Sequence, residues 1–254
     1  MKIIACYKSV PADPINVNRD RTLDLQNVTW EVGKYDLTAV ETAMTLAGKT
    51  EGHVIALTAG GEIVSNSKMK KTILSRGPDE MLGVQDDKLA SSDSFTTAEV
   101  LKNAILKAGD VDLVFCGEGS GDMYAQQVGP LVGAMLGWNT VNAVSKIEYQ
   151  EDGSVNVERV VADGIESLNV KLPAVISVVS DICSPRVPSM KDIMKAGKKP
   201  ATVWTMDDLG QSLEAAAETV SVLAPEPAPR KQIVVEGTGD EAMDAFVEYI
   251  KKSL

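Results

Sequence analysis

The sequence predicts an α/β fold: an open, mostly parallel sheet with crossover helices, antiparallel edge hairpins and an extended C-terminal arm. Three observations lead to it. Short apolar runs alternate with segments of helical period from the first residue onward, the signature of βαβ crossovers. Between residues 144 and 171 the pattern changes to strict apolar–polar alternation around tight turns, which is the pattern of hairpins. Near the end, the proline-rich run Ala224-Pro225-Glu226-Pro227-Ala228-Pro229 separates a last amphipathic segment from the rest.

Residues 2–7 form the first predicted strand. Asp36 is placed to cap a helix whose Leu37, Ala39, Val40, Ala43, Met44 and Leu46 share one face. Val54 to Ala59 form a second buried strand closed by Gly60-Gly61, and residues 63–75 a helix stopped by Arg76-Gly77-Pro78-Asp79. Arg76 is expected to cap that helix end. A short strand lies near Met81–Val84, a helix over Thr96–Lys107 and a strand over 111–116. Residues 144–150, 154–160 and 165–171 make hairpins extending the sheet edge, and Leu172 to Val178 returns to a buried strand. The expected organisation is an adenine-nucleotide-binding domain over 1–200 and a linker with a C-terminal arm over 201–254. Within that arm, Glu241–Lys252 is a helix with Met243, Phe246, Val247 and Ile250 on one face. A helix on such a tether either clasps a partner chain or folds back on its own domain.

Composition narrows the function. A net charge of −11 excludes nucleic acid, which needs clustered cations in excess. The N-terminus lacks the pattern of a signal peptide and no run approaches a membrane span, so no direct membrane insertion and a cytoplasmic location are expected. Cys6, Cys116 and Cys183 have no metal-ligand spacing and read as free thiols, with no metal site expected. The single histidine, His53, stands at a strand start beside Gly52, which argues against Ser-His or Cys-His catalysis, and no catalytic residue is assigned.

The most informative segment follows the strand at 111–116. It reads Gly117-Glu118-Gly119-Ser120-Gly121-Asp122-Met123-Tyr124-Ala125-Gln126-Gln127-Val128-Gly129-Pro130. Small residues after a buried parallel strand leave backbone N–H groups free at the sheet's carboxyl edge, where anions and nucleotides bind. The spacing satisfies neither G-x-G-x-x-G nor a P-loop, so the loop alone is equally a structural turn. The other strand ends, Cys6-Tyr7-Lys8 and Thr58-Ala59-Gly60, are also small or polar. With Gly33, Lys34, Tyr35 and Asp36 before the first helix, they can wall one adenine-sized cleft. Tyr7, Tyr35 and Tyr124 are candidate ring stackers, with core packing as the plainer role.

Over nearly its whole length the chain resembles the β subunit of electron transfer flavoproteins, in the branch associated with carnitine or nitrogen-fixation gene clusters. The resemblance rests on the strand ending in Lys8, on Tyr35-Asp36-Leu37-Thr38-Ala39-Val40-Glu41 and on the 117–130 segment. It continues through Val157-Glu158-Arg159, Leu172-Pro173-Ala174-Val175, Pro185-Arg186 and Ile193-Met194-Lys195-Ala196. It implies a heterodimer with an electron transfer flavoprotein α subunit, an electron carrier and not an enzyme, serving a dehydrogenase of acyl-CoA type. It also implies an adenine nucleotide bound by Cys6, Gly33 to Asp36, Ala59 and Gly117 to Val128. In conventional members that ligand is AMP, a structural filler; in electron-bifurcating members it is a second FAD. Tyr35-Asp36 and Gln127-Val128-Gly129-Pro130 resemble the FAD form. Ala125-Gln126-Gln127, where many such members carry a hydroxyl residue, departs from it, with a phosphate contact either lost or moved to Ser120. FAD is the expected cofactor and AMP the alternative.

Residues 184–199 resemble the family's recognition loop, with Met190 as the apolar anchor for a dehydrogenase. A flexible thioether on a proline-braced loop adapts to a groove, and Lys191, Lys195, Lys198 and Lys199 steer it toward an acidic partner. The rival reading has Met190 in the core and the lysines as a solvated face. A rival of another class, an ATP-dependent hydrolase or nucleotide sensor, lacks the Lys and Ser/Thr of a phosphate loop.

Overall fold

The computed structural model describes residues 1–212, 215–230 and 232–253. Its strands are β1 (Lys2–Cys6), β2 (Ser9–Pro11), β3 (Asn16–Val17), β4 (Leu23–Asp24), β5 (Trp30–Val32), β6 (His53–Gly60), β7 (Glu80–Gln85), β8 (Leu113–Gly117), β9 (Asn139–Tyr149), β10 (Val155–Val161), β11 (Gly164–Val170), β12 (Ala174–Val178) and β13 (Ala201–Trp204). Its helices are α1 (Lys34–Thr50), α2 (Ser67–Leu74), α3 (Ser94–Ala108), α4 (Val128–Leu136), α5 (Met190–Ala196) and α6 (Asp240–Lys251).

One nine-stranded sheet carries the fold in the order β11-β10-β9-β12-β8-β1-β6-β7-β13. From β9 to β13 every neighbouring pair is parallel, whereas β10 and β11 add antiparallel strands at one edge. The predicted mixture of parallel sheet and edge hairpins is therefore the observed one. Ile3, Ile4 and Ala5 of β1 and Leu113, Val114 and Phe115 of β8 are fully buried on both faces, as central parallel strands require. Helices α1 and α2 cover one face and α3 and α4 the other, each face closing over its own apolar core.

Local chemistry fixes the helix ends. The Asp93 side chain accepts from the Phe95 and Thr96 amides at 2.8 and 2.9 Å to start α3, and Gly109, with φ of 67°, ends it. The Lys2 ammonium then donates to the carbonyls of Ala108 and Gly109 at that end. Arg76 donates to the Thr72 carbonyl at 2.8 Å, the helix-capping role expected of it. The predicted helix at 63–75 is a 3₁₀ turn over 62–65 followed by α2, because the Asn66 side chain caps a new start by accepting from Lys68 and Met69. Asp36 does not cap α1: Gly33 is the cap residue, with no side-chain bond, and Asp36 lies in the first turn with its carboxylate directed elsewhere.

β13 was not visible in the sequence pattern, and it carries the sheet beyond residue 200 by pairing Ala201–Trp204 with Met81–Val84. The chain beyond it is mostly exposed. Residues 213 and 214 of the expected link lie outside the described residues, but Leu223 forms an antiparallel bridge with Thr22. Helix α6 buries none of its residues; Met243, Phe246 and Ile250 are exposed. Among the described residues no helix is long and apolar enough to cross a membrane.

Candidate functional site

Chain direction creates the site. From β1 the chain winds outward through β6 and β7 on one side, then α3 carries it back to β8 on the other side of β1. Connections leave β1 and β8 in opposite directions there, which opens a crevice outside their carboxyl ends. That crevice is a cleft of about 370 Å³. Cys6 and Cys116 close its floor, both buried at 6% and 5% exposure. The hydrogen bond with Cys116 and burial together push the Cys6 thiol well above its ordinary range, so Cys6 stays protonated. All three cysteines are free thiols, as expected.

Asp36 forms the next wall. Its carboxylate accepts from the Lys8 amide at 2.8 Å, which ties the first turn of α1 to the end of β1. Burial pushes this carboxyl up to about 7; the amide and charge of Lys8 and the amide of Gly117 oppose that rise, and the charge of Asp122 adds to it. Across the mouth, the Lys8 ammonium pairs with Asp122 at 2.6 Å. Burial works against ionisation of Asp122, but Lys8, Ser120 and the Met123 amide outweigh it and hold the carboxyl below its usual range.

The glycine loop needs its glycines. A Cβ at Gly117 would lie 2.8 Å from Asp36 Oδ1, and one at Gly119 2.6 Å from the Tyr124 ring. Neither position admits a side chain, so bare backbone faces the cleft. Tyr124 and Gln126 adopt left-handed φ values of 44° and 57°, strain that a plain turn would not keep. Tyr124 packs against Tyr35 with ring centroids 5.3 Å apart, bracing the loop on α1. Behind the loop, Gly129 and Gly133 let α4 sit directly on Ser177 and Thr140 of the sheet.

Of the sequence-predicted residues, Cys6, Asp36, Ala59, Gly117, Glu118, Gly119, Ser120, Met123, Ala125, Gln126, Gln127 and Val128 line the cleft. Gly33, Lys34, Tyr35, Gly121, Asp122 and Tyr124 do not; they shape it from behind, through the Tyr35–Tyr124 contact and the Lys8–Asp122 pair. Tyr7 packs in the core, as its plainer reading had it, and also borders the cleft. A whole wall escaped the sequence reading: Leu89, Ala90 and Ser92 after β7, with Asp93, Ser94 and Thr97 at the start of α3. The signal was present in Asp93-Ser94-Phe95-Thr96-Thr97, an N-cap followed by hydroxyls, which marks a helix start at the carboxyl edge of the sheet.

These residues fit an adenine nucleotide. The volume lies at the small end of ligand pockets, roughly 300–1,000 Å³. Its lining combines bare glycine backbone, hydroxyls at the start of α3 and an apolar floor, groups that suit phosphate and ring respectively, while the Phe95 and Thr96 amides are taken by Asp93. Among the described residues no cluster of His, Cys, Asp or Glu could hold a metal.

Away from the cleft, the segment after β12 presents Val187, Met190 and Met194 to solvent at 92%, 75% and 74% exposure. Met190 is thus no core residue, and Lys191 and Lys195 are exposed beside it. Arg186 clamps the segment to α1 through a two-pronged pair with Glu41, at 2.6 and 2.9 Å. Lys199 does not steer: its ammonium donates to the carbonyls of Leu74, Gly77 and Pro78 at 3.1, 2.8 and 2.6 Å, locking the end of α2.

The electron transfer flavoprotein domain family model matches residues 20–209, well over half of the chain and all of the cleft except Cys6, Tyr7, Lys8 and Thr219. A cleft at the sheet's switch point, walled by glycine backbone and a helix start, is where nucleotide cofactors bind in open α/β sheets. The chain belongs to the electron transfer flavoprotein domain family.

Proposed function

We propose that this chain is the β subunit of a heterodimeric electron transfer flavoprotein and that its cleft holds FAD. The observation that carries the FAD reading is the second polar wall. The glycine loop at 117–121 faces the start of α3 with Ser92, Ser94 and Thr97 across the same cleft. The second wall adds hydroxyl groups for a second phosphate to the backbone amides that the glycine loop offers the first. When bound, FAD supplies reversible one- and two-electron transfer. The chain binds and orients it, the apolar floor of Cys6 and Cys116 limits water, and Asp36 ties α1 to the end of β1 at the cleft wall. A second reading, AMP as a structural nucleotide without redox role, draws support from the modest volume of about 370 Å³.

Electrons enter from a dehydrogenase, of acyl-CoA type, that docks on Met190 with Lys191 and Lys195. The exposed thioethers and the clamp between Arg186 and Glu41 support this. The α subunit is held by the C-terminal arm, whose helix α6 offers Met243, Phe246, Val247 and Ile250. Two flavins in one heterodimer would permit bifurcation. The test is to purify the chain with its α partner and release the bound ligands by heat. Two FAD per heterodimer support the proposal, one FAD plus AMP supports the structural-nucleotide reading, and no flavin overturns both.

A further inference from the structure

We propose that residues 216–224 form a strap across the mouth of the cleft, latched by Asp93, which slows the release of bound nucleotide; this rests on the nucleotide reading above. The strap is anchored on both sides. At the α3 side, the amides of Ala216 and Ala217 each donate to Asp93 Oδ2 at 3.2 Å, and the Ala216 amide also reaches Thr96 Oγ1 at 3.2 Å. At the far side, Leu223 bridges Thr22 and the Ala224 amide donates to the Arg21 carbonyl at 2.9 Å. Between the anchors, Thr219 lines the cleft itself.

Asp93 divides its work between two oxygens. Oδ1 caps α3 through the Phe95 and Thr96 amides, while Oδ2 accepts the Thr96 hydroxyl at 2.7 Å and holds the strap. Burial opposes its ionisation, but the Thr96 hydroxyl and the amides of Thr96, Ala217 and Phe95 hold its carboxyl down to about 2, so the latch is charged at any working pH. The rest of the strap is exposed and makes few contacts, so it can open without unfolding the domain.

Asp93→Asn separates the two roles. Asparagine caps a helix as well as aspartate does, yet turns an N–H₂ toward two amides that need an acceptor. Ala217→Pro removes one strap donor and leaves Asp93 and α3 untouched. The full-length chain is loaded with FAD, and separately with AMP, and release is followed after dilution. Both variants should release the nucleotide faster, about tenfold for Asp93→Asn from the loss of bonds to a charged acceptor, with thermal midpoints near wild type. Hydrogen exchange at Ala216 and Ala217 should be slow in the loaded wild type and fast in Asp93→Asn. If the wild type holds a nucleotide but both variants release it at the wild-type rate, the strap is overturned and the nucleotide site stands. If the wild type holds neither FAD nor AMP, both fall.

Discussion

The carboxylate of Asp36 accepts the backbone N–H of Lys8 at 2.8 Å, joining the first turn of α1 to the end of β1 under the floor of the cleft. Burial raises this carboxyl to about 7, from 3.8 as the free side chain. Between those values the folded chain binds a proton that the unfolded chain has lost, so stability falls as pH rises from about 4 to about 7. The difference amounts to roughly 4 kcal/mol at most. Asp36→Asn keeps one acceptor and removes the titration. Urea unfolding from pH 4 to pH 8 should show the variant gaining on the wild type across that window; parallel curves would contradict the assignment.

The Lys8–Asp122 pair is half exposed, so it adds little to global stability, of order 0.5 kcal/mol. Its effect is on the loop. Lys8→Ala should leave the thermal midpoint within a few degrees of wild type while weakening FAD binding several-fold, because Asp122 then loses its main counter-charge. Titration of FAD against both proteins, alongside thermal melts, separates the two effects.

Gly119→Ala places a methyl group where the Tyr124 ring now lies, at 2.6 Å. The ring must leave Tyr35, and the left-handed turn at Tyr124 loses its support. The expected cost to folding is about 1–3 kcal/mol, typical of overpacking. Nucleotide affinity should fall more than tenfold, measured by calorimetry. A variant that binds as the wild type does would show that the loop conformation is not required.

Met190→Ala should slow electron transfer from the dehydrogenase without altering nucleotide content, since Met190 is exposed to solvent and does not line the cleft. Glu41→Gln should act in the same direction more weakly, by loosening the clamp on Arg186 and leaving the anchor in place. Stopped-flow flavin reduction compares them. Equal rates in all three proteins would remove the segment as a docking site.

The sheet was legible because its strands are apolar runs of the right length, and a cleft at their carboxyl ends followed from β8 feeding a glycine loop. The α3 wall was less visible because its residues, Ser92 to Thr97, read as an ordinary helix start until the sheet brings them opposite Gly117. Asp36 was misread in role but not in place: spacing alone cannot tell a cap from a first-turn carboxylate, and the amide of Lys8, 28 residues earlier, decides between them. β13 was hidden because Ala201-Thr202-Val203-Trp204 is a short edge strand behind a lysine-rich segment, with Val203 and Trp204 only half-buried. Lys199 looked like one of a solvated set, and only the carbonyls at the end of α2 show its internal partners.

The central claim is that FAD lies between the glycine loop and the start of α3. A crystal structure of the chain with its α partner and saturating FAD tests it most directly. A dinucleotide is expected over the Cys6–Cys116 floor, its two phosphates shared between the backbone at 117–120 and the α3 start at Ser94 and Thr97. An empty cleft, or FAD bound elsewhere on this chain, would contradict it.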